Sequence, residues 1–418
     1  MVAQSISKTS PADKVVMYFL FAFIVMVGLS YINFLPGLVS ALAGGIGFSE
    51  AVAGQIVALN GYGGLLGSIV AIFLVRRVHW RGSLLICLSI LAMMDFSTEW
   101  IVSGRMNSEW QSNINNYQMM LGWRFLAGVF GGLSVGIGFS VLARLNNPDR
   151  AFGALLFVQF SVGSLVVYGL PTLESLVGAY AVFDVMASLI VVGLLLLVLL
   201  PALPHNAKPI PSSQPLPKEL NNALLLMFAI FLYQCAAGAI WAYVGLVGLQ
   251  ANFTAEDVSA YIATTGLLGL LGAILPMLKG NPWGRLISIA VGIALSIVAV
   301  LMLSISPQTS FIYVCSMSLL FFSWPAVLSY LLAVTAELDA SGRLSAMAAL
   351  ISSVGLASGP LMASSLLGDG DFSAMLLVSG LLFLLCALAF YKPVSTQERT
   401  YKTQGDCARH PASATSID

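Results

Sequence analysis

Charge is scarce in this sequence. Asp, Glu, Lys and Arg together make up 9% of the 418 residues, whereas a soluble globular domain carries roughly 25%. The 18 basic and 18 acidic residues give a formal net charge of zero, so the chain lacks the strongly basic surface by which proteins bind nucleic acid. The composition excludes an ordinary soluble domain, and we expect no nucleic-acid partner.

The common sequence motifs of enzymes are lacking as well. There is no His-Glu-x-x-His zinc motif, no Gly-x-Ser-x-Gly nucleophile elbow and no glycine-rich loop that ends in Lys-Ser or Lys-Thr. The five cysteines show neither metal-site nor disulfide spacing. The sequence therefore predicts no catalytic residue, metal, cofactor or bound nucleotide.

Apolar residues, by contrast, are abundant and come in long blocks. They make up 58% of the chain, and the mean hydropathy is +0.92. The blocks run for about 20–25 residues, the length of a helix that crosses the hydrocarbon core of a bilayer. A membrane barrel would show strands of about ten residues with alternating polarity, which this sequence does not have. We predict an all-α integral membrane protein.

Twelve blocks can be counted, and each is expected to form one transmembrane helix. They are Val15–Val39, Ala51–Val75, Gly82–Val102, Tyr117–Leu142, Phe152–Leu173, Val177–Leu200, Asn222–Leu249, Val258–Met277, Leu286–Ser304, Phe311–Val334, Ser345–Leu367 and Phe372–Tyr391. The first block is longer than the 7–15 apolar residues of a signal peptide. We therefore expect it to be a retained helix, although Ala41-Leu42-Ala43 is similar to a signal-peptidase site.

A proline-rich polar stretch and an internal repeat divide the chain into two halves. Residues 201–220 are typical of an extended linker. Three glycines of the second block recur about 205 residues later, so that Gly61, Gly64 and Gly67 correspond to Gly266, Gly269 and Gly272. The expected organisation is a tail at 1–14, a six-helix bundle at 15–201, a linker at 202–220, a pseudo-symmetric six-helix bundle at 221–391 and a tail at 392–418.

The basic residues predict the orientation. Of the 18 basic residues, Arg105 lies in a loop on one side and Arg124 lies within a span, which leaves 16 on the other side. Loops rich in Lys and Arg face the cytoplasm. We therefore expect a multi-pass protein of the cytoplasmic (inner) membrane, with both termini in the cytoplasm, and a monomer.

Ionisable residues inside a span are costly, about 2.5–3.5 kcal/mol at a helix centre, and therefore mark candidate sites. Four occur in the first half: Asp95, Glu99, Arg124 and Asp184. Arg124 keeps its proton, so it either pairs with Asp95 or Glu99 beside a water-filled cavity or extends to the outer interface. Asp95 and Glu99 share a helix face. A carboxylate beside this arginine is a candidate for taking up and releasing a proton.

Two further patterns point to close helix packing and to a cavity. Arg124 begins a stripe of Gly128, Gly132 and Gly136, which allows another backbone or a ligand to approach. Aromatic and amide residues interrupt several spans and would suit a moderately apolar organic solute, although each alone is compatible with ordinary helix packing. These candidate cavity residues are Tyr31, Asn33, Gln159, Tyr233, Gln234, Trp241, Thr264, Thr265, Trp324 and Tyr330.

The twelve spans, the division into six and six and the repeat resemble the major facilitator superfamily from about residue 15 to 391. Arg124 followed by Gly128 is similar to the fourth-span signature of that family, and the resemblance implies a role for Arg124 in proton coupling. The loop after the second span, with Arg76, Arg77 and Arg81, is similar to the family's basic loop motif. Arg76, however, stands where the family usually has an aspartate.

The resemblance also bears on the direction of transport. The eleventh span carries Gly355, Gly359 and Pro360, which are similar to the glycine-proline motif of family exporters. The resemblance implies alternating access, with the solute held between spans 1, 4, 5, 7, 8 and 10. We expect a secondary transporter of a small organic solute, proton-coupled, with export by antiport favoured. The alternatives are proton-coupled uptake and a non-transporting receptor or scaffold on a transporter fold.

Overall fold

A computed structural model describes residues 15–75, 77–103, 112–143, 145, 148–200, 220–279, 284–305, 307–338, 343–368 and 371–409. The helices of the first half are α1 (Val15–Gly28), α2 (Ser30–Asn33), α3 (Leu35–Ser40), α4 (Glu50–Leu74), α5 (Trp80–Ser103), α6 (Ser112–Leu142), α7 (Pro148–Val177) and α8 (Ala181–Leu199). Those of the second half are α9 (Leu220–Gln250), α10 (Ala255–Gly266), α11 (Leu268–Lys279), α12 (Arg285–Leu303), α13 (Ser310–Leu338), α14 (Arg343–Leu366) and α15 (Ser373–Arg409).

Eleven spans among the described residues are long and apolar enough to cross a membrane. The remaining apolar segment is the first one, which is broken into α1, α2, α3 and a π-helical turn at Ala41–Gly45. Pro36 lies at the break, where its missing N–H removes one helical hydrogen bond. The twelve predicted spans are therefore all present, and the chain has the predicted all-α, twelve-helix membrane fold.

Two predicted spans differ in detail from the structure besides the first. The eighth is divided into α10 and α11 at Gly266–Leu267, within the repeated glycine segment. The twelfth does not end at Tyr391, because α15 continues to Arg409. Glu398 on this extension accepts a hydrogen bond from the backbone N–H of Leu286 at 2.9 Å and so caps the first turn of α12. The predicted linker lies almost wholly outside the described residues.

The repeated glycines pack in corresponding ways in the two halves. A methyl group on Gly67 would collide with the backbone of α6 at Val129, and one on Gly272 with the backbone of α13 at Phe322. In each half, this glycine therefore lets the second transmembrane span of the bundle pack against the fourth span. The first glycine of each copy faces the other half instead: Gly61 meets Ala357 of α14, and Gly266 meets Ser164 of α7. The packing supports the pseudo-symmetry that the sequence predicted.

The two bundles touch each other at one end of the molecule. We call the end where Arg77, Arg81 and Arg285 lie the basic end. At the opposite end α3 packs on α9, α4 on α14, and α7 on α10. Midway along α4, Tyr62 is hydrogen bonded to Ser358 of α14 at 2.8 Å. Nearer the basic end, α4 and α14 form opposite walls of a cavity. In the part of the chain that the structure describes, the bundles are thus in contact at the opposite end, which we call the closed end, and a cavity separates them towards the basic end.

Candidate functional site

The central cavity lies between the bundles and has a volume of about 250 Å³. Residues of α2, α7, α9, α10, α13 and α14 line it. The predicted cavity residues that line it are Asn33, Gln159, Gln234, Trp241 and Trp324. Of the six spans predicted to surround the solute, the first, fifth, seventh, eighth and tenth line the cavity. The eleventh span (α14) lines it instead of the fourth (α6).

The polar groups of the second half are occupied by other protein groups. Gln234 donates to the Ser352 hydroxyl at 2.8 Å and accepts from the Trp324 indole at 2.6 Å. The Trp241 indole donates to the carbonyl of Ile32 at 2.8 Å. Pro36, four residues after Ile32, has no N–H to give that carbonyl, so Trp241 replaces the missing donor from across the bundle interface. The second half therefore presents aromatic rings rather than free donors.

The first half presents free amides. Nδ2 of Asn33 is buried without a hydrogen-bond partner, and Asn33 is 7% exposed. Gln159 lines the same cavity from α7 and is partly exposed to it. Opposite them, Trp241 packs edge-on against Phe321, with ring centroids 5.2 Å apart, and against Trp324 at 6.4 Å. The cavity thus has a hydrogen-bonding face from one bundle and an aromatic face from the other.

Four predicted cavity residues lie elsewhere. Tyr233 is buried in the second half, with its hydroxyl 3.0 Å from that of Ser296. Neighbouring residues on a helix are about 100° apart, so Tyr233 faces the core when Gln234 faces the cavity. Thr264 and Thr265 donate to backbone carbonyls of their own helix, at 2.7 and 2.6 Å. Tyr330 is buried in α13 at 6% exposure. None of the four lines the central cavity.

A second cavity, of about 430 Å³, extends from the centre towards the basic end. Tyr31 and Arg124 line it, together with Asn60, whose Oδ1 is buried without a partner. Ile32 and Leu356 line both cavities, so the two adjoin. We call this second space the basic-end cavity.

Arg124 and Asp95 form a buried ion pair beside the basic-end cavity. Nη1 of Arg124 lies 2.5 Å from Oδ1 of Asp95, and the side chains are 1% and 0% exposed. The Arg124 guanidinium also lies 5.1 Å from the centre of the Phe183 ring. One atom on each side of the pair, Asp95 Oδ2 and Arg124 Nε, has no partner. Of the two acids that the sequence offered as partners, the structure selects Asp95.

The other two charged candidates lie away from this pair. Glu99 is exposed on α5. The pKa of Tyr180, in the loop before α8, is raised first by the burial of Tyr180 itself and second by the negative charge of Glu99. Asp184 is half-buried in the first turn of α8. Negative charge is favourable at a helix N-terminus, which is one reason for this position; a role of Asp184 in transport stays a prediction.

The glycine stripe of α6 serves helix packing. Methyl groups on Gly128, Gly132 and Gly136 would meet α4 at Asn60, Gly64 and Ala71, respectively. The stripe therefore admits another backbone, one of the two occupants that the sequence allowed. In the second half, Gly355 and Gly359 approach the backbone of α9 in the same way, and Gly269 packs on the Phe160 ring.

In the basic loop, Arg76 lies outside the described residues and Arg77 is exposed. Arg81 donates to the carbonyl of Val198 near the end of α8, at 2.5 Å. This contact joins the start of the third span to the end of the sixth. Cations are favourable at helix C-termini, so Arg81 stabilises the basic end of the first bundle.

The sequence missed Phe321, which lines the central cavity, and Glu174, which lines a separate small cavity between the bundles. Phe321 is three residues before Trp324 and shares its helix face, which the spacing could have revealed. Glu174 was missed because the predicted fifth span ended at Leu173, whereas α7 continues to Val177. Oε1 of Glu174 is buried without a partner.

The fold has close counterparts among solved structures. A mutant of the nucleoside transporter NupG matches with a TM-score of 0.73 and 13% identity, covering 91% of this chain and 100% of that one. A D-xylose-proton symporter matches with a TM-score of 0.67 and 15% identity, over 91% and 98%. The POT family transporter PepTSo matches with a TM-score of 0.64 and 14% identity, over 92% and 98%.

At these identities the similarity concerns the fold. Among curated proteins, none matches this sequence. The family model described as Major Facilitator Superfamily, however, matches residues 18–338, which is well over half of the chain. The chain therefore belongs to the major facilitator superfamily.

Proposed function

We propose that this secondary transporter moves a small, uncharged, moderately apolar organic solute by alternating access, coupled to protons, and that the solute binds in the central cavity. The observation that carries the proposal is the division of this cavity between the bundles. Asn33 and Gln159 supply hydrogen bonds from one bundle, and Trp241, Phe321 and Trp324 supply aromatic surface from the other.

A solute held between these two faces contacts both bundles at once. Its binding energy is then available to draw the bundles together, which alternating access requires. The side chains that line the central cavity carry no charge, and a charged solute would lose its hydration there without an opposite charge. An uncharged solute with a flat or ring-shaped apolar part and at least one amide-like or hydroxyl edge fits this chemistry.

The proposed coupling group is the ion pair of Asp95 and Arg124. Arg124 lies at the wall of the basic-end cavity, so a small movement of the helices would bring water from that cavity to the buried pair. Asp95 can accept a proton if Arg124 finds another partner, such as water, when the bundle moves. With the basic end in the cytoplasm, the described conformation faces inwards, and protonation from the other side requires the opposite end to open.

We favour export by proton antiport over uptake. The support is the exporter-like Gly355, Gly359 and Pro360 segment, which forms the α14 contact with α9 and α4. Uptake by symport is the second candidate, because a D-xylose-proton symporter shares this architecture.

The direction is tested with everted and right-side-out vesicles under an imposed pH gradient. A growth screen of a deletion strain against toxic compounds and carbon sources first identifies the solute. Export predicts accumulation in everted vesicles that are acidified inside. Accumulation by right-side-out vesicles under an inward proton gradient would contradict export and support symport. A deletion phenotype fully complemented by an Arg124→Ala variant would instead favour the non-transporting alternative.

Alternating access is tested by cross-linking the interface between the two bundles. A Cβ atom on Gly61 would lie 2.8 Å from Cβ of Ala357 in the other bundle, so a cysteine pair needs a separation only about 1 Å larger to form a disulfide. Oxidation of Gly61→Cys/Ala357→Cys should stop transport, and a reductant should restore it. The matched control is Gly45→Cys/Ala179→Cys, 2.6 Å apart by the same measure but within one bundle. That cross-link should leave transport intact.

A further inference from the structure

Glu174 lies in the contact between the bundles at the closed end. A small cavity of about 40 Å³ separates α3 and α7 of the first bundle from α9 and α10 of the second, and Glu174 lines it from α7. We call this space the seam cavity. Ser40, Gly245 and Ser259 line it with mainly apolar neighbours. The Oε1 atom of the Glu174 carboxyl group is fully buried and has no hydrogen-bond partner.

Among the described residues that line the seam cavity, none carries a positive charge that could compensate this carboxyl group. The lining residues contributed by α3, α9 and α10 include no titratable side chain. The acidic residues of α10, Glu256 and Asp257, are exposed in its first turn. Asp257 is hydrogen bonded to Thr254. Asp95 differs in this respect, because its buried carboxylate is paired with the guanidinium of Arg124.

Closing and opening the seam therefore change the surroundings of Glu174. In the closed seam, one oxygen faces protein without a donor, and an ionised carboxylate there is unfavourable because it loses hydration that nothing replaces. When the bundles separate, both oxygens meet water, and the ionised form is favourable. Glu174 as a whole is only half-buried, so protons can reach it from the side of the opposite end.

We propose that Glu174 is a proton-binding site that controls this end: protonation favours the closed seam, and ionisation favours its opening. The sign follows from linkage. The closed state binds the additional proton, so its population rises as the pH falls and declines as the pH rises. One proton changes the ratio of closed to open molecules by at most tenfold per pH unit. The proposal rests on the proposed alternating access, but it concerns a different group from the coupling pair.

The experiment measures seam opening without solute or gradient. Ser259→Cys places a thiol in the seam cavity with little change in size, in a chain whose five natural cysteines are replaced by Ser or Ala. A membrane-impermeant maleimide reports its accessibility. Ser310→Cys, exposed at the same end of the molecule, is the matched control. The ratio of the two labelling rates removes the pH dependence of the maleimide reaction itself.

The labelling ratio is expected to rise about tenfold or more between about pH 5 and about pH 8. Glu174→Gln, which resembles the protonated form, should hold the ratio at its low value throughout. Glu174→Asp should retain a pH dependence, and Glu256→Gln should behave as the unmodified chain.

A labelling ratio that does not change with pH, or a Glu174→Gln variant that keeps the full dependence, would overturn the proposal. Neither result depends on whether vesicles accumulate solute. Failure of the pH gate and failure of the proposed transport function can therefore be told apart.

Discussion

Removing one partner of the Asp95–Arg124 pair should destabilise the protein strongly. Both residues are 1% exposed, and their charged atoms are 2.5 Å apart. At an effective dielectric constant of about 20, two unit charges about 4 Å apart attract by about 4 kcal/mol. Breaking a buried pair by removing one charge costs about 3–5 kcal/mol, because the other charge is left uncompensated. We expect a loss of this size for Asp95→Leu and for Arg124→Leu.

The double variant distinguishes pairing from simple burial. With both charges replaced by apolar side chains, no charge is left buried alone, and such replacements are often close to neutral. We therefore expect Asp95→Leu/Arg124→Leu to lose much less stability than the sum of the single variants. The measurement is the free energy of unfolding in detergent micelles for the four proteins of the cycle. Single losses below about 1 kcal/mol that simply add would show that the pair is hydrated, as exposed ion pairs are.

The same pair gives a functional prediction with a separate measurement. Asp95→Asn keeps the shape of the side chain and removes the group that takes up a proton. Per molecule of folded transporter, it should retain exchange of solute across the membrane without a gradient, while accumulation driven by a pH gradient is lost. Glu256→Gln, an exposed acid outside the cavities, is the control for both assays. Full pH-driven accumulation by Asp95→Asn would refute the coupling role.

Three other substitutions test the packing described above. Trp241→Phe keeps an aromatic ring but removes the donor to the Ile32 carbonyl. The contact between the bundles should lose about 1 kcal/mol, which should raise the maleimide labelling of Ser259→Cys at the closed end about fivefold. Unchanged labelling would show that this hydrogen bond does not hold the bundles together. Gly132→Val should abolish folded protein on gel filtration, because its side chain would collide with the carbonyl of Gly64, whereas normal yield and transport would contradict this close contact. Glu398→Gln should weaken the cap on α12 by about 0.5–1 kcal/mol, measured as faster hydrogen exchange at the start of that helix, with transport unchanged.

The fold could be predicted almost completely from the sequence, for a physical reason. Lipid forces backbone groups to be satisfied within each segment, so length and polarity alone locate a helix. The breaks were harder to predict. Pro36 and Gly266 both lie inside blocks that are long and mostly apolar. Whether such a residue bends or divides a helix depends on neighbours that supply the missing hydrogen bonds, as Trp241 does for Ile32.

The site was predictable where one residue restricted its own surroundings. Arg124 required a nearby carboxylate, and Asp95 supplies it. Uncharged polar residues can be satisfied by many partners, so the sequence could not divide them into residues that line the cavity and residues that lie in the core. Gln234 and Tyr233 are adjacent and both polar, yet only the rotation of α9 decides that one faces the cavity. Glu174 could not be recognised for a different reason. Its proposed role depends on residues of α10 across the bundle interface, and the sequence of its own helix does not reveal them.

The two kinds of glycine contact have a consequence for a mutational scan. Gly67 and Gly132 join helices within one bundle, and that contact persists in every conformation of a rigid bundle. Gly61 faces Ala357 across the interface, in a contact that the proposed alternating access breaks when the bundles separate. Larger residues at the first two positions should reduce the amount of protein under all growth conditions. At Gly61 they should leave the amount unchanged and reduce fitness only when the transported solute decides survival.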